Sequence, residues 1–337
     1  MKAAVLRELN SPLSIEKVEL TPLKVGQVLV RINVSGLCGA QLHEIRGHKG
    51  NGKFLPHLMG HEGSGIVEDV GSGVTTVCVG DKVVMHWRQG DGIEAPFPQY
   101  ILDGKTISSG KVTTLSEYSI VSENRLTAVP QDTPDNLCAL LGCGLTTALG
   151  IIDNEINLKI GESILIVGCG GVGLNLIQGA RLRSAYPIIA VDIEEEKREK
   201  AIEIGATEFI NTSEKDLSIQ QVDVIIDTTG NSEVISSMVK HLSGKGRMIL
   251  VGQPAPGKDV VIPNGVSLFG GRGKSISATQ GGMTNPSEDI PRYVKMHKAG
   301  LLDIDKIVTH TFCLDEVNDA FRLLKSGTAG RIMIKMR

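Results

Sequence analysis

Aromatic side chains are scarce in this chain, at 3% of 337 residues, so its core has to be assembled from Val, Ile, Leu and Ala. Cysteine is sparse too: six residues, at 38, 78, 138, 143, 169 and 313, with no CxxC pair among them. That spacing excludes a disulfide framework and leaves free thiols that a reducing compartment keeps available as metal ligands. No long basic run is present, and the net charge of −3 offers no electrostatic footprint for nucleic acid or an anionic membrane surface. Nor does any apolar run reach the roughly 18 to 20 residues that a membrane-spanning helix needs. The N-terminal stretch Met1 to Glu8 is too short and too charged for a secretory signal. These absences point to a cytoplasmic protein whose partner is a small molecule. Internal repeats and low-complexity segments are likewise missing.

What the chain has in abundance is glycine, 40 residues, and a length that suits about two domains. Residues 1 to 37 read as short strands, Ala3 to Leu6, Ser14 to Leu20 and Gln27 to Val34, separated by turn signals. A short helix is expected over Cys38 to Arg46. Strands follow at Gly63 to Val70, Lys82 to Met85 and Ser116 to Val121, and the spacing suggests a small barrel or sandwich. The stretch from Trp87 to Val112 reads as one long functional or irregular loop. After about residue 144 apolar strands alternate with amphipathic helices, from Ser163 to Val167 through to Arg247 to Val251 with a last strand over Lys274 to Gln280. That rhythm means a parallel sheet covered on both faces. Two helices and a closing strand, Arg331 to Met336, make up the tail and return to the first domain. The expected division is 1–143 and 282–337 for a β-rich domain and 144–281 for an α/β domain.

Gly168-Cys169-Gly170-Gly171-Val172-Gly173 follows a predicted strand and opens a predicted helix. In that setting the backbone N–H groups of Gly168, Gly170, Gly171, Val172 and Gly173 can face a pyrophosphate at the positive end of the helix. Asp192 ends the next strand, about 20 residues on, where a carboxylate accepts hydrogen bonds from the adenosine ribose. It is followed by Glu194, Glu195 and Glu196 rather than by arginine, so a 2′-phosphate would meet uncompensated negative charge. NAD is expected over NADP.

Cys38, His61 and Cys143 are far apart in sequence, and taken singly each reads as readily as a buried thiol or a turn histidine. Their setting is shared, in Leu37-Cys38-Gly39, Gly60-His61-Glu62-Gly63 and Gly142-Cys143-Gly144. Two thiolates, one imidazole and an open fourth position make a tetrahedral zinc site able to take water or a substrate oxygen, a ligand set known from alcohol dehydrogenase.

With these motifs, and with Lys2 to Leu6, Gly60 to Glu68, Gly80 to Val83, Leu141 to Thr147 and Gly205 to Thr207, nearly the whole chain resembles the zinc-dependent medium-chain alcohol dehydrogenases. The branch holding the liver-type and glutathione-dependent formaldehyde dehydrogenases is the nearest in pattern. The resemblance implies a GroES-like catalytic domain, a Rossmann NAD-binding domain and an active site in the cleft between them. It implies Cys38, His61 and Cys143 as ligands of one catalytic zinc, and Glu62 as a carboxylate that can exchange onto the metal. Thr147 is implied beside the nicotinamide, Lys197 beside the adenosine ribose and Arg331 at the pyrophosphate, with a solvated surface charge as the alternative for the last two. A homodimer or homotetramer is implied as well.

Three departures stand out. Ala40 occupies the position where the family carries a Ser or Thr hydroxyl for the substrate proton, and His43 matches the outer relay histidine, so a water between substrate and His43 would have to close the path. Gln41 stands where an acidic residue usually orients the ligand histidine. The structural-zinc cysteines of many relatives are missing between residues 87 and 112, which leaves one zinc per subunit. Ala40, His86, Trp87 and Arg88 are expected to line the substrate pocket, with Arg88 raising the case for a sugar- or phosphate-bearing alcohol. A zinc-free quinone-type reductase and a non-catalytic dinucleotide-binding protein are the alternatives.

Overall fold

The structure, a computed structural model, describes residues 1–50, 52–212 and 219–336. It divides into two compact units, Met1–Thr146 with Asn285–Arg337, and Thr147–Thr284.

In the first unit the strand Gln27–Leu37 buries Val28, Val30, Ile32 and Val34 on alternate positions, the period-2 pattern of a sheet with one face on a core. It is the hub of a seven-stranded sheet ordered Leu126–Val129, Lys82–Met85, Gly63–Val70, Gln27–Leu37, Arg331–Lys335, Val308–Cys313, with Tyr118–Ser122 also paired to the hub. The closing strand runs antiparallel to it, with Ile332 opposite Leu37, Met333 opposite Gly36 and Ile334 opposite Ser35. This pairing carries the end of the chain back to the segment that leads into Cys38. Val317, Ala320 and Phe321 of the helix Val317–Ser326 seal the same core. Each such aliphatic or aromatic side chain contributes about 1.5 to 3 kcal/mol on burial.

A second sheet of six strands has Lys2–Leu6 between the edge strand Ser14–Lys17 and the short strand His57–Leu58, with the hairpin Gln99–Leu102 and Lys105–Ser109 beyond the latter. The hairpin corrects the reading of residues 87–112 as one loop. Its signal was present: Asp103 and Gly104 both have positive φ, +53° and +70°, as a two-residue hairpin turn of type I′ demands. The strand Leu126–Val129 and the helix Asp135–Leu141 were also not anticipated. Glu194 to Ile204 is a single helical turn, Glu195–Lys197, leading into the helix Arg198–Ile204.

The stretch after Trp87 is fastened by a polar network. Glu94 accepts from Gln89 and Asn124, each at 2.9 Å, from Arg125 at 3.0 Å and from Lys111. Burial opposes the charge, but Lys111, Gln89, Asn124 and Arg125 outweigh it and hold the carboxyl down at about 2. A folded-state pKa below the unfolded value near 4.3 gives stability that is present above that value and is lost as the pH falls toward 2. Glu94→Gln is therefore expected to lower stability at pH 7 by about 1 kcal/mol, partial exposure having screened the rest. In chemical denaturation, the gap between variant and parent should close as the pH drops from 5 to 2.5. A constant gap would show that charge has no part in it.

The second unit is a parallel sheet ordered Glu208–Asn211, Ile188–Asp192, Ile164–Val167, Val222–Asp227, Leu242–Leu250, Ser275–Ala278. Counted along the unit this is the order 3-2-1-4-5-6 of a dinucleotide-binding Rossmann fold. Ile164–Val167 and Ile188–Asp192 are buried along their entire length, as strands covered on both faces must be. Reversal of strand order between Ile164–Val167 and Val222–Asp227 opens a crevice at their carboxyl ends, where Gly168 and Thr228 meet. Among the described residues no single helix is long and apolar enough to cross a membrane.

Candidate metal centre and dinucleotide loop

Three different local structures deliver the candidate metal-ligand side chains. Cys38 leaves the hub strand and caps the helix Gly39–Ile45. His61 sits between the strands His57–Leu58 and Gly63–Val70, and Cys143 between the helices Asp135–Leu141 and Gly144–Gly150. Their two sulfurs and one imidazole nitrogen nevertheless all lie within 4.8 Å of one another. The hydrogen bond from Cys143, with His61 adding to it, holds the Cys38 thiol well below its usual range, and the same contact pushes Cys143 up. Burial works to lower the pKa of His61, but Cys38 and the charge of Glu62 outweigh it and the imidazole is raised. Two sulfurs and an imidazole thus share protons that a divalent cation would displace, and the soft S₂N donor set suits zinc.

Other thiols behave differently. Cys138 and Cys169 are pushed up to about 12 by burial. They are small apolar core groups, not ligands.

Behind the ligands lies a fully buried ion pair. Glu62 and Arg331 side chains are 0% and 4% exposed, with Arg331 Nη2 donating to Glu62 Oε1. Glu62 Oε2 accepts from the Gly144 N–H at 3.2 Å, which ties the carboxylate to the helix that follows Cys143. Burial raises the Glu62 pKa, and the Arg331 guanidinium works against that rise. A guanidinium stays protonated, and a neutral partner would leave it uncompensated, so the pair is ionised. Glycines make room for it. A Cβ on Gly36 would come within 2.6 Å of Glu62 Oε1, and one on Gly142 within 2.8 Å of the Glu62 Cβ. Gly39, by contrast, has open space around it. Arg331 is thus no solvated surface charge, and its Nε is a buried donor without a partner among the described residues.

Gln41 departs from the expectation that it orients His61 less strongly than an acidic residue or through a different hydrogen bond. Its Oε1 accepts from the Cys38 backbone N–H at 2.9 Å, fixing the ligand's own main chain at the helix start. His86 is a second correction: it is buried, with Nδ1 2.8 Å from the Arg88 carbonyl and Nε2 2.9 Å from Thr127 Oγ1, so neither ring nitrogen remains for a substrate. Burial lowers its pKa to about 4, and the ring is neutral. Trp87 is half-buried, and the Arg88 guanidinium lies over its ring at 5.6 Å. Ala40 and His43 are half-buried on the helix Gly39–Ile45. Thr147, buried, belongs to the helix after Cys143.

The glycine loop of the second unit divides its labour. Gly168 has φ +93°, and a Cβ there would collide with Thr228 Oγ1. A Cβ on Gly173 would overlap the Gly168 carbonyl oxygen. Both are glycines because protein packs against them. Gly170, at the cap of the helix Gly171–Leu182, has nothing within 4 Å of where a Cβ would be, so its openness serves no packing and suits the approach of a pyrophosphate. Asp192 accepts from the Cys169 N–H at 2.7 Å, from Glu194 N–H at 3.0 Å and from Lys197 Nζ at 2.9 Å. Its side chain is 6% exposed and that of Lys197 12%, so Lys197 is not a solvated surface charge either. The Thr228-Thr229-Gly230 crest opposite the loop is absent from the sequence-based expectations, although a glycine three residues after the strand Val222–Asp227 marks a turn there, and Gly230 has φ +66°.

Residues 24–131 match the model of the alcohol dehydrogenase GroES-like domain and residues 171–299 that of zinc-binding dehydrogenase. Alcohol dehydrogenase 6 of Peromyscus maniculatus is 32% identical over 367 residues, covering 99% of this chain and 97% of that protein. S-(hydroxymethyl)glutathione dehydrogenase of Synechocystis sp. is 32% identical over 369 residues, 99% of each. Among solved structures, benzyl alcohol dehydrogenase from Acinetobacter calcoaceticus superposes with a TM-score of 0.89 at 26% identity, covering 100% of this chain and 99% of that one. An alcohol dehydrogenase zinc-binding domain protein from Burkholderia ambifaria does so with the same TM-score at 28% identity, over 100% and 98%. Sequence likeness along the full length, and a fold shared with solved dehydrogenases, make this chain a member of the zinc-dependent medium-chain alcohol dehydrogenase family.

Proposed function

We propose that Cys38, His61 and Cys143 hold one catalytic zinc, that Gly168 to Gly173 with Asp192 bind NAD, and that the protein moves a hydride between an alcohol and this cofactor. The observation that carries the reading is the convergence of two thiols and an imidazole within 4.8 Å. A zinc held there would supply polarisation of the substrate oxygen, and NAD held by the glycine loop would take or give the hydride at the neighbouring carbon. The chain's own residues position and tune. Gln41 fixes the main chain at Cys38, and Glu62 braces the helix after Cys143 against Arg331. His43, on the helix capped by Cys38, takes the substrate proton through a water, since Ala40 has no hydroxyl to pass it on. Thr147 is assigned to the nicotinamide, and Arg331 to the pyrophosphate through the Nε that Glu62 leaves unpaired.

The paired thiols disfavour a zinc-free reductase. Trp87 with Arg88 stacked on it favours a polar or anionic alcohol, held by charge at one end. Free Cys38 and Cys143 suit the cytoplasm. A homo-oligomer is supported by the edge strand Ser275–Ala278 together with Val266 and Phe269, which are 72% and 83% exposed beside it in sequence. A decisive experiment assays sugar, phosphate-bearing and aromatic alcohols with NAD and NADP, with zinc analysis and sedimentation of the same sample. Expected are turnover abolished by a chelator, one zinc per subunit, a kcat/KM preference for NAD and a species larger than a monomer. Turnover indifferent to chelation in zinc-free protein would defeat the proposal.

A further inference from the structure

We propose that His48 is the second carrier of a two-imidazole relay, taking from His43 the proton that the alcohol hydroxyl loses and delivering it to solvent. This deepens, and rests on, the reading of His43 as proton acceptor given above. The two rings meet edge to face, with centroids 5.3 Å apart, planes at 67° and Nδ1 to Nδ1 3.3 Å. Two imidazole nitrogens form a hydrogen bond only when one carries a proton and the other a lone pair, so the junction holds one proton for two rings. The backbone fixes this geometry: the His48 N–H donates to the His43 carbonyl at 2.9 Å where the helix Gly39–Ile45 ends. Both side chains are half-buried, neither sealed in the core nor fully in solvent.

Because the junction uses Nδ1 of both rings, Nε2 remains as the second port of each. The bonds balance as follows. The alcohol O–H proton crosses a bridging water to His43 Nε2; the Nδ1–H bond of His43 breaks as His48 Nδ1 gains that proton; the Nε2–H of His48 goes to solvent water. The hydride leaves carbon for NAD, and the relay carries only the proton. Each ring ends in its other tautomer and resets through solvent. Burial, then the charges of His48, Arg46 and Lys49, lower the pKa of His43, while Cys38 works in the opposite sense. His43 therefore rests neutral at pH 7, the form that can accept. A structural ring pair would need no such polarity.

The test compares His48→Gln and His43→Gln with the parent, each zinc-loaded, using benzyl alcohol and NAD in dilute buffer near pH 6.5. His48→Gln should lower kcat about tenfold at unchanged KM, with added imidazole restoring it, and the double variant should be no slower than His43→Gln alone. Nitrogen NMR of the histidines, which needs no turnover, should show His43 and His48 titrating as a coupled pair and the His43 curve moving in His48→Gln. If His43→Gln is slow and rescued while His48→Gln matches the parent, His48 has no role and only this inference falls. If His43→Gln also matches the parent, the acceptor role assigned under the proposed function falls with it. Should benzyl alcohol not be turned over, uncoupled titrations with an unmoved His43 curve overturn the relay by themselves.

Discussion

Replacement of Cys143 by serine is expected to empty the site of zinc and to lower kcat/KM by at least about a thousandfold, the several kcal/mol that a metal supplies at a developing alkoxide. Serine is close to isosteric, but its hydroxyl is not deprotonated at neutral pH as a coordinating thiol is, so a soft anionic ligand is lost with little change in packing. Two protein ligands, Cys38 and His61, would remain. Cys138→Ser is the control. That thiol is buried five residues earlier and pushed up to about 12, so its loss should cost stability and leave zinc content alone. Zinc analysis and circular dichroism on the two variants decide the matter. A Cys143→Ser protein that keeps its metal would dismiss the ligand assignment, and a Cys138→Ser protein that loses it would show that zinc content follows fold integrity.

Cys38, His61 and Cys143 could be singled out in the chain because each sits beside glycine, a local signal that survives without knowledge of the fold. The parallel sheet was legible for a similar reason, since strands covered on both faces are apolar throughout, as at Ile164–Val167. What depended on partners was not legible. Glu62 and Arg331 are 269 positions apart and meet only because Ile332 pairs with Leu37. Gln41 lies three residues from Cys38, and sequence alone does not distinguish a side chain turned back onto its own helix start from one turned toward His61. His86 looked available beside Trp87, and only the packing revealed that Arg88 and Thr127 occupy both its nitrogens. The hairpin in 87–112 is a different sort of miss, because Asp103-Gly104 marked it and the density of glycine and proline before it hid the mark.

Removing Arg331 is expected to be the most destabilising single change near the centre. In Arg331→Met the Glu62 carboxylate would stay fully buried, close to the Cys38 and Cys143 sulfurs and without its cation, a situation that costs about 3 to 5 kcal/mol. Methionine fills much of the space the arginine stem occupied, so the loss comes from charge and not from a cavity. Glu62→Gln/Arg331→Met removes both charges and should recover more than half of that cost, since a buried pair replaced by neutral groups is often close to neutral overall. The recovery is the non-additivity of two groups in contact, which a double-mutant cycle in guanidinium measures directly. Stability regained in the double variant need not bring zinc back with it. Glu62 Oε2 holds the Gly144 N–H, and Gly144 follows Cys143, so loosening the carboxylate also loosens a ligand. If instead Arg331→Met unfolds at the parent's midpoint, the buried Glu62 does not depend on the guanidinium and the ion pair contributes nothing to stability.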